Sequence, residues 1–220
     1  MKTSKKAICL ISGGLDSAVA AAFAKSKNYE LHFLFLEYGQ KNYKKEEASI
    51  KSLAKFFKPK KVWRVKLPWI KEFGGSGLLD KNITLDEKNF RLEYVPFRNS
   101  IFLSVATALA EVIGAEAIFV GSSGGDHICP DNSPEYIKSF QQVIKEGTML
   151  KRGIRIVAPL IKTDKTGAVR IGTKLKVPFG LTWSCHDYKK LACGHCSNCL
   201  SRIEAFSLNK IKDPILYEKN

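Results

Sequence analysis

Apolar residues fall in five short runs: Ala7–Ile11, Leu31–Leu36, Val62–Val65, Ala117–Val120 and Ile154–Val157. Each has strand length, and the runs are continuous rather than strictly alternating, as in strands covered on both faces. Helical patterns lie between them. Residues Asp16–Lys27 are alanine-rich, and Tyr43–Phe57 spaces Ala48, Leu53, Ala54 and Phe57 near one face. Ser100–Ile113 is a long apolar stretch closed by Gly114, and Pro134–Ile144 and Asp164–Leu175 are also helical in pattern. Strands alternating with helices predict an α/β fold, an open parallel sheet with helices on both faces. The stretch Pro68–Asn89 carries Gly74, Gly75 and Gly77 and no clear period, so it is expected to be a loop insertion, a lid or an interface. From Trp183 the composition changes, with four cysteines in quick succession and then a short helix, Leu200–Leu208. The expected organisation is therefore a main domain over 1–182 and a metal-binding segment over 183–220 packed on it.

The turn after the first strand reads Ser12-Gly13-Gly14-Leu15-Asp16-Ser17. Glycines at a strand-to-helix turn let the backbone approach a ligand, and the helix N-terminus aims free N–H groups and partial positive charge at it. Ser12 and Ser17 add hydroxyl donors. Such a turn suits oxyanions, pyrophosphate above all. Asp16 fits poorly against a bare phosphate and is expected to hold Mg²⁺ or to cap the helix. The spacing is neither G-x-x-x-x-G-K-[ST] nor G-x-G-x-x-G. The plainer alternative is a turn whose Ser and Asp only cap a helix.

Cys185, Cys193, Cys196 and Cys199 read C-x7-C-x2-C-x2-C. Four thiolates on one short segment suit a closed, tetrahedral Zn²⁺ site that contributes folding energy, although four cysteines would also hold an iron–sulfur cluster. Cys9 lies inside the first apolar run and reads as a small buried hydrophobe. Cys129 lies in a polar loop. His186 and His195 flank the cluster and are expected outside the ligand set. His32 sits in a strand and reads as packing.

Charge changes the picture only partly. Lys plus Arg number 36 against 21 Asp plus Glu, a formal excess of 15 in a chain of 220 residues. That favours anionic partners, such as nucleotides, nucleic acid or an acidic membrane face, or simply a lysine-rich solvated surface. Hydrophobic content of 45% and charged content of 26% belong to an ordinary globular chain. No apolar run approaches a membrane span of ~18 residues. "AICLI" is too short for a signal core, so a cytoplasmic chain with reduced or metal-bound cysteines is expected.

Two further groups lie where α/β sheets hold ligands, at the carboxyl ends of strands. Arg98 and Asn99 open the long apolar helix, where a guanidinium can bind phosphate or carboxylate through two hydrogen bonds, and Asn99 can instead act as a cap. The loop 121–136 carries Asp126, Asp131 and Glu135, carboxylates that could accept from the N–H donors of a purine-like edge, or else form a solvated acidic loop.

"SGGLDS" resembles the signature of the PP-loop ATP pyrophosphatases. Beyond it the chain is similar to the 7-cyano-7-deazaguanine synthase family in "YGQKNYKKEEASIKSLA" (38–54), "VPFRNSIFLSVATALAEVIGAEAIFVG" (95–121), "PEYIKSF" (134–140), "APLIKTDK" (158–165), "VPFGLTWSCH" (177–186) and "ACGHCSNCLSRIEAF" (192–206). The resemblance implies ATP-dependent joining of 7-carboxy-7-deazaguanine to ammonia, with Mg²⁺ at the turn and Zn²⁺ at the cysteines. It also implies that Arg98 and Asn99 belong to the active-site cleft, that Asp16, Lys165 and Arg98 are catalytic, and that the chain forms a homodimer. No stable nucleic-acid complex is expected. The chain departs from the family pattern in 121–136, where Ser123, Gly125, His127, Asn132 and Ser133 replace the usual residues and one residue is missing before Pro130. Asn42 also stands where the family has His. These departures leave open a related deazapurine, an amide product or another amine. Two further rivals are a non-catalytic zinc-ribbon binding module, which the glycine turn argues against, and a tRNA-modifying enzyme with the same turn. Against the latter, no added RNA-binding domain and no sulfur-carrying cysteine pair outside the cluster are visible.

Overall fold

The computed structural model describes residues 5–83, 85, 90–124, 129–150, 153–187 and 189–218. Five strands, β1 (Lys6–Leu10), β2 (Glu30–Glu37), β3 (Lys61–Lys66), β4 (Ala117–Phe119) and β5 (Arg155–Val157), form one sheet in the order β3-β2-β1-β4-β5. Every neighbouring pair is parallel, with Cys9 beside Phe33 on one side and Phe119 on the other. The helices are α1 (Leu15–Ser26), α2 (Tyr43–Phe57), α3 (Trp69–Phe73), α4 (Arg98–Ile113), α5 (Pro134–Gly147), α6 (Lys165–Lys174) and α7 (Ser197–Leu208).

Because side chains alternate along a strand, each central strand feeds two cores. Ala7, Cys9, Phe33 and Phe35 face α1, α2, α6 and α7, meeting Leu53, Val169 and Phe206. Ile8, Leu34 and Leu36 face the other way, against Leu103 and Ala106 of α4 and Ile144 of α5. The expected open parallel sheet with helices on both faces is thus the observed one. Cys9 is fully buried, and burial pushes its thiol pKa up, as suits an inert hydrophobe. His32 is buried, with Nε2 3.2 Å from Glu30 Oε1.

The insertion after β3 differs from the expected loop. Residues Trp69–Phe73 form a helical turn and a half, α3, and Ile70 and Leu79 are buried in the second core. Glycine-rich spacing concealed a few widely separated apolar anchors.

The C-terminal segment is tied down by Arg202, whose side chain is fully buried. Its Nε and Nη2 donate to Asp213 at 2.8 and 3.0 Å, Nη1 to Thr182 and Ser184, and Nη2 also to the Phe179 carbonyl. Five contacts match the five N–H donors of a guanidinium, so this is a structural clamp. Through it α7 grips residues 179–184, which lead directly to the site.

The chain runs outward from β1 to β2 and β3, then returns to β4 on the opposite side. That reversal opens a crevice above the carboxyl ends of β1 and β4, the usual ligand position in such sheets.

Candidate active site

A cavity of about 830 Å³ fills this crevice. Its floor is the turn between β1 and α1. Gly13 adopts φ +78°, and a Cβ there would stand 2.8 Å from the Glu46 carbonyl oxygen, so the turn lies hard against α2. Gly121, just after β4, approaches equally closely: a Cβ would stand 2.7 Å from the Ser17 nitrogen. Gly13 thus lets the turn lie against α2, and Gly121 lets the loop after β4 meet the turn. Ser17 Oγ donates to the Gly14 carbonyl at 3.0 Å and accepts from Ser12 N at 3.2 Å, which rigidifies the turn. Trp183 N donates to Gly13 O at 2.9 Å, laying the C-terminal segment over it.

No side chain caps α1 at Gly14, so the helix presents its first N–H groups and dipole to the cavity. Asp16 is not a cap. Its Oδ2 forms an ion pair with Lys165 Nζ, from the start of α6, whose own N-terminus is capped by Asp164 accepting from Gly167 N at 2.8 Å. The other oxygen, Asp16 Oδ1, is buried without a hydrogen-bond partner. A desolvated, partnerless carboxylate oxygen beside a helix N-terminus fits a divalent cation. Ser12, Gly14, Leu15, Asp16, Ser17 and Lys165 all line the cavity.

A second wall comes from α4 and the end of β2. Arg98 lines the cavity and its Nη1 donates to the Tyr38 hydroxyl at 3.1 Å. Tyr38 packs edge-on against Phe102 at 5.3 Å. Gln40 fixes this corner, accepting from Tyr38 N and donating to the Leu36 carbonyl and to Glu46 Oε2, the last at 2.8 Å.

Of the three acidic residues of the loop 121–136 expected to meet a substrate, Asp131 and Glu135 are described, and only Asp131 lines the cavity. Asp131 is buried and spent on α4: it accepts from Asn99 N at 2.8 Å and from Ser100 N, Ser100 Oγ and Asn99 Nδ2. It caps the helix from a distant segment, which also engages the Asn99 amide. Glu135 is exposed and is not among the side chains lining the cavity. Asp126 lies outside the described residues. Cys129 lines the cavity.

Sequence reasoning missed Glu46, although a signal was present. It precedes Ile50, Leu53 and Phe57 at helical spacing, so a carboxylate stands on the buried stripe of α2. Burial pushes its pKa up from 4.5 to about 7, opposed by hydrogen bonds from Gln40 and Asn42 and by the Arg98 charge. Glu93 and His186 were also missed as cavity residues. His186 Nε2 lies 3.1 Å from Glu93 Oε2, and Glu93 Oε1 accepts from Ser197 Oγ.

The four cysteines converge below this wall. All are buried, and their Sγ atoms lie within 4.8 Å of one another. Backbone N–H groups of Asp187 and Cys193 point at Cys185 Sγ from 3.2 and 3.4 Å, and that of Cys196 at Cys193 Sγ from 3.4 Å. Donors aimed at sulfur, with sulfurs close together and no disulfide, fit a set of thiolates around one metal ion. His195 is turned to the Cys193 carbonyl, 2.9 Å from Nδ1, and is not in the cluster.

A model of the family described as queuosine biosynthesis protein QueC matches residues 6–210. A 7-cyano-7-deazaguanine synthase from Campylobacter jejuni subsp. doylei is 38% identical, with 98% of this chain and 99% of the relative covered. The synthase from Methanospirillum hungatei is 39% identical over 96% of this chain and 99% of its own. Among solved structures, a 4-thiouridine synthetase–RNA complex with bound ATP superposes with a TM-score of 0.55 at 19% identity. It covers 96% of this chain and 50% of that one, a likeness of fold.

Proposed function

Because the chain belongs to the family of the queuosine biosynthesis protein QueC, we propose that its cavity converts 7-carboxy-7-deazaguanine, ammonia and ATP into 7-cyano-7-deazaguanine. The observation that carries this reading is the joining of two unlike walls in one cavity: a phosphate-directed turn with Asp16 and Lys165, and the polar wall of Arg98, Tyr38 and Glu46.

The chemistry explains why a nucleotide is needed. A carboxylate carbon is too electron-rich for ammonia to attack. Attack of the carboxylate oxygen on the α-phosphorus of ATP breaks the bond to pyrophosphate and leaves an acyl adenylate. Ammonia then adds at the acyl carbon, AMP departs and a proton is released, giving the amide. A second ATP takes the amide oxygen in the same way. When that C–O bond breaks, the nitrogen loses its two protons and the nitrile forms.

The residues have separate tasks in this scheme. The turn Ser12–Ser17 and the N-terminus of α1 would receive the β- and γ-phosphates. Lys165, held by Asp16, would meet the charge that develops as pyrophosphate leaves. Arg98 would bind an oxygen of the organic substrate. Asp16, with its open Oδ1, would hold Mg²⁺, which offsets phosphate charge when bound. Cys185, Cys193, Cys196 and Cys199 would hold Zn²⁺, whose contribution in a closed four-sulfur site is to the fold. We take 1–182 as the nucleotide-handling unit and 183–220 as the zinc-bearing segment packed upon it. By the same reading the protein is a cytoplasmic homodimer. The exposed Phe73, Leu92 and Phe97 offer apolar surface to a second copy, and no helix among the described residues is long and apolar enough to cross a membrane.

Product mass spectrometry tests the proposal. With ATP, ammonia and 7-carboxy-7-deazaguanine, the nitrile is the expected end product, with two AMP formed for each. An amide as the only product would place this chain's 121–136 loop in a different branch of the chemistry. Absence of any ATP-dependent product would overturn the assignment.

A further inference from the structure

Resting on the substrate just assigned, we propose that Glu46 reads the 2-amino-4-oxopyrimidine edge of the deazapurine, accepting from the ring N–H and the exocyclic amine while Arg98 donates to the adjoining ring oxygen. Such an edge offers two adjacent donors and then one acceptor. Its complement is a carboxylate next to a fixed cation, each with hydrogen-bonding capacity to spare.

The other carboxylates lining the cavity among the described residues are already committed or exposed. Asp16 pairs with Lys165, and Glu93 accepts from Ser197 and lies against His186. Asp131 caps α4 and Asp164 caps α6. Glu204 is exposed on α7. Glu46 alone of this group is held only by neutral amides, Gln40 and Asn42, with no Lys or Arg among the described residues within ion-pair distance. Two carboxylate oxygens can accept about four hydrogen bonds. Burial raises its pKa, so the ionised carboxylate gains from any N–H donor that a ligand brings.

The surroundings suit a flat ring. Leu36, Leu78, Phe102 and Leu103 line the cavity with Glu46 and Arg98. Arg98 is fixed by its bond to Tyr38, and Tyr38 by its edge-on contact with Phe102.

The test compares wild type and Glu46→Gln, a change of charge with little change of shape, as full-length protein. Calorimetry gives the dissociation constants of 7-carboxy-7-deazaguanine and of its analogue lacking the 2-amino group, and turnover of the former by wild type is measured alongside. Wild type is expected to bind the amino compound about 30-fold or more tighter than the analogue. In Glu46→Gln that preference should fall to about 3-fold or less, because the amino compound loses two bonds to the carboxylate and the analogue, which keeps the ring N–H, loses one. A loss larger for the amino compound than for the analogue is a readout that a purely structural role for Glu46 would not give. A preference that survives the substitution, an equal loss for both compounds, or a wild type indifferent to the amine would overturn the inference while wild-type turnover upholds the substrate. A wild type that turns over no carboxylated deazaguanine would remove the substrate assignment and this inference with it.

Discussion

Asp16→Ala is expected to lower ATP-dependent pyrophosphate release by about 10²–10³-fold, the usual effect of deleting a preorganised electrostatic group, while leaving the protein folded. The two consequences separate because of where the residue sits. Its carboxylate makes one ion pair, with Lys165, and both side chains retain some exposure to water. A partly exposed pair of this kind contributes about 1 kcal/mol or less. An acidic residue in the first turn adds about 0.3–1 kcal/mol through the helix dipole. Alanine returns part of this through its helix propensity, and it removes a buried oxygen that has no partner. The folded state therefore loses little. The reaction loses the group that positions Lys165 and offers an open oxygen beside the phosphate-directed N–H groups. Asp16→Asn should behave alike, since it keeps the shape and removes the charge. Thermal melts and a pyrophosphate assay on the same preparations check both halves, and full activity in either variant would contradict the role assigned to Asp16.

Cys196→Ser is expected to act in the opposite sense, on the fold first and on activity as a consequence. A serine oxygen is a poor substitute for thiolate in a soft, closed site, and the metal should be lost. Metal affinity in a structural four-sulfur site is folding free energy, on the order of 10 kcal/mol in small zinc domains. Here two separate apolar cores remain, so the damage should concentrate in residues 183–218. At about 2–4 °C per kcal/mol for a chain of this size, even half of that figure would lower the melting temperature by about 10–20 °C. The site should suffer too. Cys196 is the N-cap of α7 and Cys193 its neighbour in the cluster. The backbone of Trp183 bonds to Gly13 of the turn, and the Trp183 ring packs against the cysteine cluster. Metal analysis and melting curves check this. A variant that keeps its metal and its melting temperature would contradict the structural role. Wild-type protein carrying iron and a visible chromophore would show an iron–sulfur centre in place of zinc.

Local rules made most of the architecture legible. The helix Tyr43–Phe57 has the bounds its spacing predicts, and each apolar run became a strand within a residue or two of its expected ends. Period and length suffice where burial on one face decides the conformation. The place of the turn at the cavity floor was legible because glycine and serine at a strand-to-helix junction have few structural uses. The facing wall was legible only at Arg98 and Asn99, which line the cavity as expected; the rest is assembled from partners far apart in sequence. Asp131 looked available, yet its acceptors are taken by a helix that begins thirty-odd positions earlier in the chain. Glu135 is near the right loop but exposed, which no local pattern specifies. Glu46 carried a readable sign, a carboxylate on an apolar stripe, but its meaning depended on Gln40, on Arg98 and on its having no ion-pair partner among the described residues. The insertion hid α3 for a related reason: Ile70 and Leu79 are too sparse to form a period, and only the second core gives them a place.

The central claim is that the turn after β1 holds the departing pyrophosphate while an organic acid takes AMP. Isotope exchange between labelled pyrophosphate and ATP, run without ammonia, reads that step alone. Label should enter ATP only when 7-carboxy-7-deazaguanine is present, and the exchange should vanish in Asp16→Ala. Failure of wild type to exchange in the presence of the acid, or exchange that persists in Asp16→Ala, would contradict the account.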